Sequence, residues 1–231
     1  MTLVLAIETA TSRCSVAVGH EAGLRASFSV DRDRRHVEAL VPAIAAACRA
    51  AGLELADFDA LAVDIGPGLF TGMRVGIATA QALGLGLDLP VHPVCSLDVL
   101  AHPFRHAGRP VAAVVDARRG EVFRSLHRSG IEIAGPACVS PTTLAAELAA
   151  LGGGLAVGDG ASRHRAIFEA PGAPSLIEVV GAMPSAEVAL ELALAAVIAG
   201  AAGLDPGEVQ ALYLRAPDAQ ANFAVLAGGR R

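Results

Sequence analysis

The residues best placed to do chemistry lie in one string, Gly66-Pro67-Gly68-Leu69-Phe70-Thr71-Gly72-Met73-Arg74, between an apolar strand-like run and a helical pattern. A strand end, a glycine loop and a helix N-terminus together form an anion site in principle. First-turn amides are unpaired there, and the helix macrodipole favours negative charge. The competing reading is a glycine loop that only turns a tight strand-to-helix corner. A nucleotide site would rest on geometry alone, because the spacing is not G-x-G-x-x-G and all 18 Lys-plus-Arg cations are arginine. Without lysine there is neither a Walker A loop nor Schiff-base chemistry. A second cluster, His102-Pro103-Phe104-Arg105-His106, spaces two imidazoles as metal ligands on one helix face. Pro103 between them, and no Glu after His102, favour surface histidines at a helix end. No G-x-S-x-G elbow is present, so a serine hydrolase is unsupported. Cys14, Cys48, Cys95 and Cys138 lie 34, 47 and 43 residues apart, which is neither zinc nor redox spacing and reads as reduced thiols.

Composition narrows the class. Hydrophobic residues at 53% against 18% charged exclude a disordered chain. A net charge of −5, no tryptophan and one tyrosine leave no basic, aromatic nucleic-acid platform. The arginine clusters Arg32, Arg34, Arg35 and Arg118, Arg119 therefore read as solvated loops. The charge-free stretch Leu192 to Leu204 is shorter than the ~20 residues a bilayer needs. The opening has no basic residue before a short run broken by Glu8, unlike a signal peptide. A soluble cytoplasmic chain with no membrane partner is expected.

The elements that must position these residues follow from periodicity and turn chemistry. Leu3 to Ile7, Cys14 to Val18 and Leu24 to Val30 are strands joined by turn residues, which makes a meander. A helix follows over 36–51, a strand over 61–65, and a helix from Gly72 to about Leu87 with Thr71 as its N-cap. A strand over 91–94 and a helix from Ser96 to about His106 lead to a linker, Ala107 to Pro110. A second meander runs over 111–116, 121–127 and 131–139. Helices over 142–151 and 185–199 and a short strand over 155–157 follow it. The chain thus repeats one α/β architecture in two lobes, 1–106 and 107–231.

The first two helices carry a further signal. On one, Val37, Leu40, Val41, Ile44 and Cys48 form an apolar face, and the opposite side offers Ala39, Ala43, Ala46 and Ala50 rather than charge. The other has Gly76, Ala80 and Gly84 at spacing four, with Ala78 and Ala82 beside them. Small residues at this spacing let a second helix approach closely. A helix-mediated subunit contact through Ala39, Ala43, Ala46, Ala50, Gly76, Ala80 and Gly84 is expected. Plain alanine enrichment is the alternative.

Several strings resemble the bacterial TsaB (YeaZ) family: Leu-Ala-Ile-Glu-Thr-Ala-Thr with Cys-Ser-Val-Ala-Val, His36 with Leu40-Val41-Pro42, Gly66 to Gly76, Asp116 to Val122, and Tyr213-Leu214-Arg215. The likeness runs in order along most of the chain. It implies an actin-like ATPase (ASKHA) fold of two lobes, each a mixed sheet flanked by helices. It implies a role in making threonylcarbamoyladenosine beside the tRNA anticodon, as the non-catalytic partner of TsaD, the transferase, with a TsaE-like ATPase joining through the complex. Pairing would use helices of the first lobe, and the chain alone could form a homodimer. Contact with tRNA would arise only within the complex, and no cofactor or metal of its own is expected.

Departures from TsaD point the same way. In register, Ser96 and Leu100 stand where TsaD has an H-x-x-x-H metal pair, and neither replaces imidazole. Glu8 stands where the superfamily's first phosphate loop has Asp. Glu8, Thr9, Thr11, Gly68 and Thr71 are the phosphate-loop candidates, with no catalytic residue named. Two other readings are a small ATP-dependent kinase using Glu8, Thr9 and Thr11, and a glycoprotease-like metallopeptidase that would need His102.

Overall fold

A computed structural model describes residues 1–31, 36–169 and 177–215; Arg32, Arg34 and Arg35 lie outside them. Three antiparallel strands open the chain: β1 (Val4–Glu8), β2 (Arg13–His20) and β3 (Gly23–Asp31). Helix α1 (His36–Ala51) leads to β4 (Ala60–Asp64), then α2 (Phe70–Leu87), β5 (Val91–Val94) and the short α3 (Ser96–Ala101). The second half repeats the plan: β6 (Val111–Asp116), β7 (Val122–Arg128) and β8 (Ile131–Val139) form a meander. Then come α4 (Pro141–Ala150), β9 (Gly154–Val157), α5 (Asp159–Arg163), α6 (Arg165–Phe168), β10 (Ile177–Val180) and α7 (Ala186–Ile198).

The two sheets have the same order, β3-β2-β1-β4-β5 and β10-β9-β6-β7-β8, when the strands of each half are matched. In each, the first strand is antiparallel to the second and parallel to the fourth. This is the duplicated, two-lobed actin-like ATPase architecture that the resemblance implies.

Strand alternation fixes the layers. Successive side chains of β1 and β4 point to opposite faces, so Leu5, Ile7, Leu61 and Val63 meet α1 and α2, whereas Val4, Ala6, Ala60 and Ala62 meet α7. The alanines on that second face let α7 lie close, through Ala186, Ala189 and Ala193. In the second sheet, Ala112 and Val114 pack under α4 with Leu144 and Leu148. Val111, Ala113 and Val115 pack against Leu97, Leu100 and Ala101 of α3. Each half thus lends its last helix to the other half's sheet, and the buried core crosses the boundary expected between residues 106 and 107.

Two local expectations are corrected. Helix α2 begins at Phe70 with Leu69 at the N-cap and no side-chain cap, so Thr71 lies inside the first turn. Helix α3 stops at Ala101, where Pro103 turns the chain into a 3-10 turn over His102–Phe104. The short elements α5, α6 and β10 lay unassigned in the sequence. Among the described residues no helix is long and apolar enough to cross a membrane.

Candidate functional site

The site lies where the loop between β4 and α2 faces the second lobe. Asp64, the last residue of β4, shapes that loop. Its Oδ1 accepts from the Gly66 N–H at 2.7 Å and from the Ser96 hydroxyl at 2.6 Å, and the Ser96 N–H donates to the Gly66 carbonyl at 2.9 Å. Gly66 takes φ 99°, open to glycine and costly for other residues. Gly68 passes directly over the Ala10 carbonyl, where a Cβ would overlap it. The Leu69 N–H donates to that same carbonyl at 2.6 Å, and the Thr9 hydroxyl donates to the Gly72 carbonyl at 2.9 Å. The β1–β2 turn and the start of α2 are therefore stitched together by one backbone–backbone bond and one from the Thr9 side chain.

That stitching decides the fate of the phosphate-loop candidates. Glu8, Thr9 and Thr11 are buried beneath the turn. Glu8 Oε1 accepts from the Ala10 N–H at 2.7 Å. Gly68 stands on the wall of the interlobe cleft, and Thr71 lines a neighbouring cavity. The five candidates do not share one surface: three are sealed below the turn, and the other two line separate cavities. What the interior holds instead is a carboxyl pair. Burial first, and the nearby charge of Asp64 second, push Glu8 well above the usual carboxylate range. Burial pushes Asp64 up to about 7, although its bonds from Ser96 and Gly66 pull the other way. Among the described residues Asp64 Oδ2 and Thr11 Oγ1 have no hydrogen-bond partner, so nothing there solvates a charge on that oxygen.

The opposite wall is the β6–β7 turn. Arg118, Arg119 and Gly120 all have positive φ, at 60°, 55° and 78°, a conformation unfavourable for residues with a Cβ. Asp116 holds it by accepting from the Arg118 N–H at 2.9 Å and pairing with the Arg118 guanidinium at 3.1 Å. The Asp116 N–H in turn donates to Asp159 at 3.1 Å. The end of the described chain bridges the walls. The Leu212 N–H donates to the Ile65 carbonyl at 2.9 Å, Arg74 donates to the Tyr213 hydroxyl at 3.1 Å, and Arg215 donates to the Ala117 carbonyl at 2.9 Å and pairs with Glu121. Arg74 also sits 3.8 Å over the Phe70 ring.

Between the walls is a cleft of about 420 Å³ lined by Pro67, Phe70, Met73, Arg118, Arg119, Phe123 and Tyr213. Beside it lies a cavity of about 400 Å³ reached by His36, Thr71 and Arg118. An apolar floor with guanidinium edges suits a group that is part apolar and part anionic. Sequence reasoning had not given Asp64, Asp116 or Tyr213 these positions. Their signal was a lone acid closing each of two apolar strands, and a single tyrosine followed by arginine two residues on.

The other candidates are dispersed. Ala43 and Ala80 are 0% exposed, Gly76 packs under Thr9, and Gly84 packs under Pro206. These four face the chain's own core, which corrects their assignment to a partner surface. Ala39 and Ala46 are half-buried and Ala50 is exposed. The reason is a rotated α1: Leu40, Ala43, Ile44, Ala47 and Cys48 point inward, leaving Val37 at 70% and Val41 at 64% exposure. On α2, Ala78 and Ala82 are exposed, with Leu85 at 68%. His102 Nε2 lies 3.4 Å from Glu191, while His106 is exposed on its own, so the two do not converge on a metal. Ser96 is bonded to Asp64 and Leu100 is buried in the second core.

Comparison with known proteins places this geometry. Residues 30–190 match the family described as "TsaD: tRNA N6-adenosine threonylcarbamoyltransferase". An uncharacterized protein of Mycobacterium leprae is 38% identical over 228 residues, a match covering 95% of this chain but only 56% of that protein. The tRNA threonylcarbamoyladenosine biosynthesis protein TsaB of Escherichia coli is 39% identical over 122 residues, 52% of each chain, so the alignment spans about half of that relative. The solved structure of YeaZ from Pseudomonas aeruginosa superposes with a TM-score of 0.79 at 31% identity, covering 93% of this chain and 100% of that one. With its motifs in order, its two lobes and this superposition, the chain belongs to the TsaB (YeaZ) family.

Proposed function

We propose that this chain serves the biosynthesis of threonylcarbamoyladenosine in tRNA as a non-catalytic subunit that binds and supports a TsaD-type transferase. The observation that carries this reading is the filled base of the cleft. Gly68 rests on the Ala10 carbonyl, Leu69 and Thr9 bond across the same gap, and Glu8 is sealed below. Phosphates and a metal for group transfer would come from the partner. Ser96 and Leu100, at the positions of the transferase's histidine pair, are committed to a hydrogen bond and to core packing. The exposed apolar side chains of the neighbouring helices α1 and α2, chiefly Val37, Val41 and Leu85, favour a protein partner. A TsaE-like ATPase and tRNA would meet this chain only through that complex.

The test is reconstitution. The cognate TsaD-type transferase, supplied with threonylcarbamoyl-adenylate and tRNA, is assayed for modified adenosine with and without this chain. Strong stimulation by this chain, with no transfer by this chain alone, supports the reading. Transfer by this chain alone, or no stimulation together with stoichiometric ATP binding, would replace it with the ATP-dependent kinase reading or another enzymatic one.

A further inference from the structure

On the side of the second lobe away from the cleft stands a set of side chains that the proposed function does not use. The hairpin of β7 and β8 turns through Ser129 and Gly130, both at positive φ, and pairs His127 directly with Glu132. Side chains facing each other across such a pair are close neighbours. Helix α3 packs across β7 and brings Asp98, in its first turn, to the same place. One donor atom from each of Asp98, His127 and Glu132 lies within 4.8 Å of the other two. We propose that Asp98, His127 and Glu132 form a binding site for a zinc-type divalent cation that pins α3 to the β7–β8 hairpin.

Four observations support the assignment. First, no hydrogen-bond donor among the described residues meets either carboxylate, and Asp98 Oδ1 stands 4.0 Å from His127 Nε2, beyond hydrogen-bond reach. The cluster is thus not a self-satisfied ion pair. Second, His127 is 7% exposed and its Nε2 lies 2.7 Å from the Ser125 hydroxyl, which fixes the ring and leaves Nδ1 as the nitrogen open to a metal; a hydrogen bond from the other ring nitrogen is what orients metal-bound histidines. Third, Glu132 is exposed and the Asp98 side chain is 47% exposed. Both can therefore turn by the ångström or so that separates the present spacing from bonds of about 2.0–2.2 Å. Fourth, a cavity of about 140 Å³ lined by Asp98, His127 and His102 adjoins the cluster, with room for a water to complete the coordination. One imidazole and two carboxylates suit zinc better than magnesium or calcium, which take oxygen donors.

The full chain, freed of metal with a chelator and titrated with zinc by calorimetry, tests this. One equivalent is expected, with affinity falling about tenfold or more in both His127→Gln and Glu132→Gln and unchanged in His106→Ala. Cobalt substituted for zinc should give a spectrum free of thiolate charge transfer, separating this site from the four cysteines. No zinc binding, binding indifferent to both substitutions, or a thiolate spectrum would overturn the proposal. Glu132 is exposed, so Glu132→Gln carries the test even if His127→Gln melts at lower temperature.

Discussion

Asp64 and Glu8 show burial, the largest cause for both, moving a carboxyl group well above its ordinary range. Both are sealed under the turn that joins the β1–β2 corner to α2, and their ordinary carboxylate behaviour belongs to the unfolded chain. The folded chain therefore binds protons that the unfolded chain has released between roughly pH 4 and pH 7, with Asp64 titrating at about 7. Stability contributed by this pair is fully present at the acid end of that window and is lost as pH rises through it. Each unit of pKa is worth about 1.4 kcal/mol, so the loss should reach a few kcal/mol. Urea unfolding at pH 5 and pH 8 measures it. Asp64→Asn keeps an acceptor for Gly66 and Ser96 and should flatten the pH dependence; equal slopes in variant and parent would contradict the assignment. Gly68 gives the second residue-scale expectation. Alanine there meets the Ala10 carbonyl, and relieving such overlap typically costs about 1–3 kcal/mol. Gly68→Ala should lower the melting temperature, and an unchanged melt would mean the loop is not held against the turn.

At the scale of elements, the strands were legible because apolar runs bounded by turn residues have few other uses. Both meanders, the helix over 36–51 and the strand over 91–94 could be read directly from such runs. The face of α1 was not legible. Its apolar arc covers so much of the helix that hydrophobicity does not say which part faces the sheet. Alanine wins the inner positions at Ala43 and Ala47 because α1 must approach the sheet and α2 closely, and that rotates the larger Val37 and Val41 outward. Short elements such as β10 and α6 escaped because four residues set no period. The candidate site suffered similarly: the glycine loop was visible, but its contact with Ala10 is tertiary and left no mark in the string. The consequence is testable on α1. Val41→Arg should weaken binding of the proposed partner about tenfold or more, since it would bury an unpaired guanidinium in an apolar contact, while leaving the melt of the isolated chain unchanged. Ala43→Arg should instead destabilise the isolated chain, because that side chain has no exit from the core. Melting curves of both variants, beside binding to the partner, separate the two faces; a stable, binding-competent Ala43→Arg would contradict this placement.

At the scale of the whole molecule, the exchange of helices joins the lobes into one folding unit. Removing residues after 106 strips α7 from the first sheet and exposes Val4, Ala6, Ala17, Ala60 and Ala62 together. A fragment of residues 1–106 should therefore aggregate or remain unfolded, and circular dichroism of a soluble, cooperatively melting fragment would contradict this. The cleft between the lobes stays open above a base that the contact of Gly68 with Ala10 closes, and the exposed side chains of α1 and α2 are the surface the proposed partner would use. The most direct measurement is size-exclusion chromatography with light scattering of this chain mixed with its cognate TsaD-type transferase, for the parent and for Val41→Arg. The account expects a stoichiometric complex with the parent and its loss with Val41→Arg. No complex with the parent under any nucleotide condition would contradict the account.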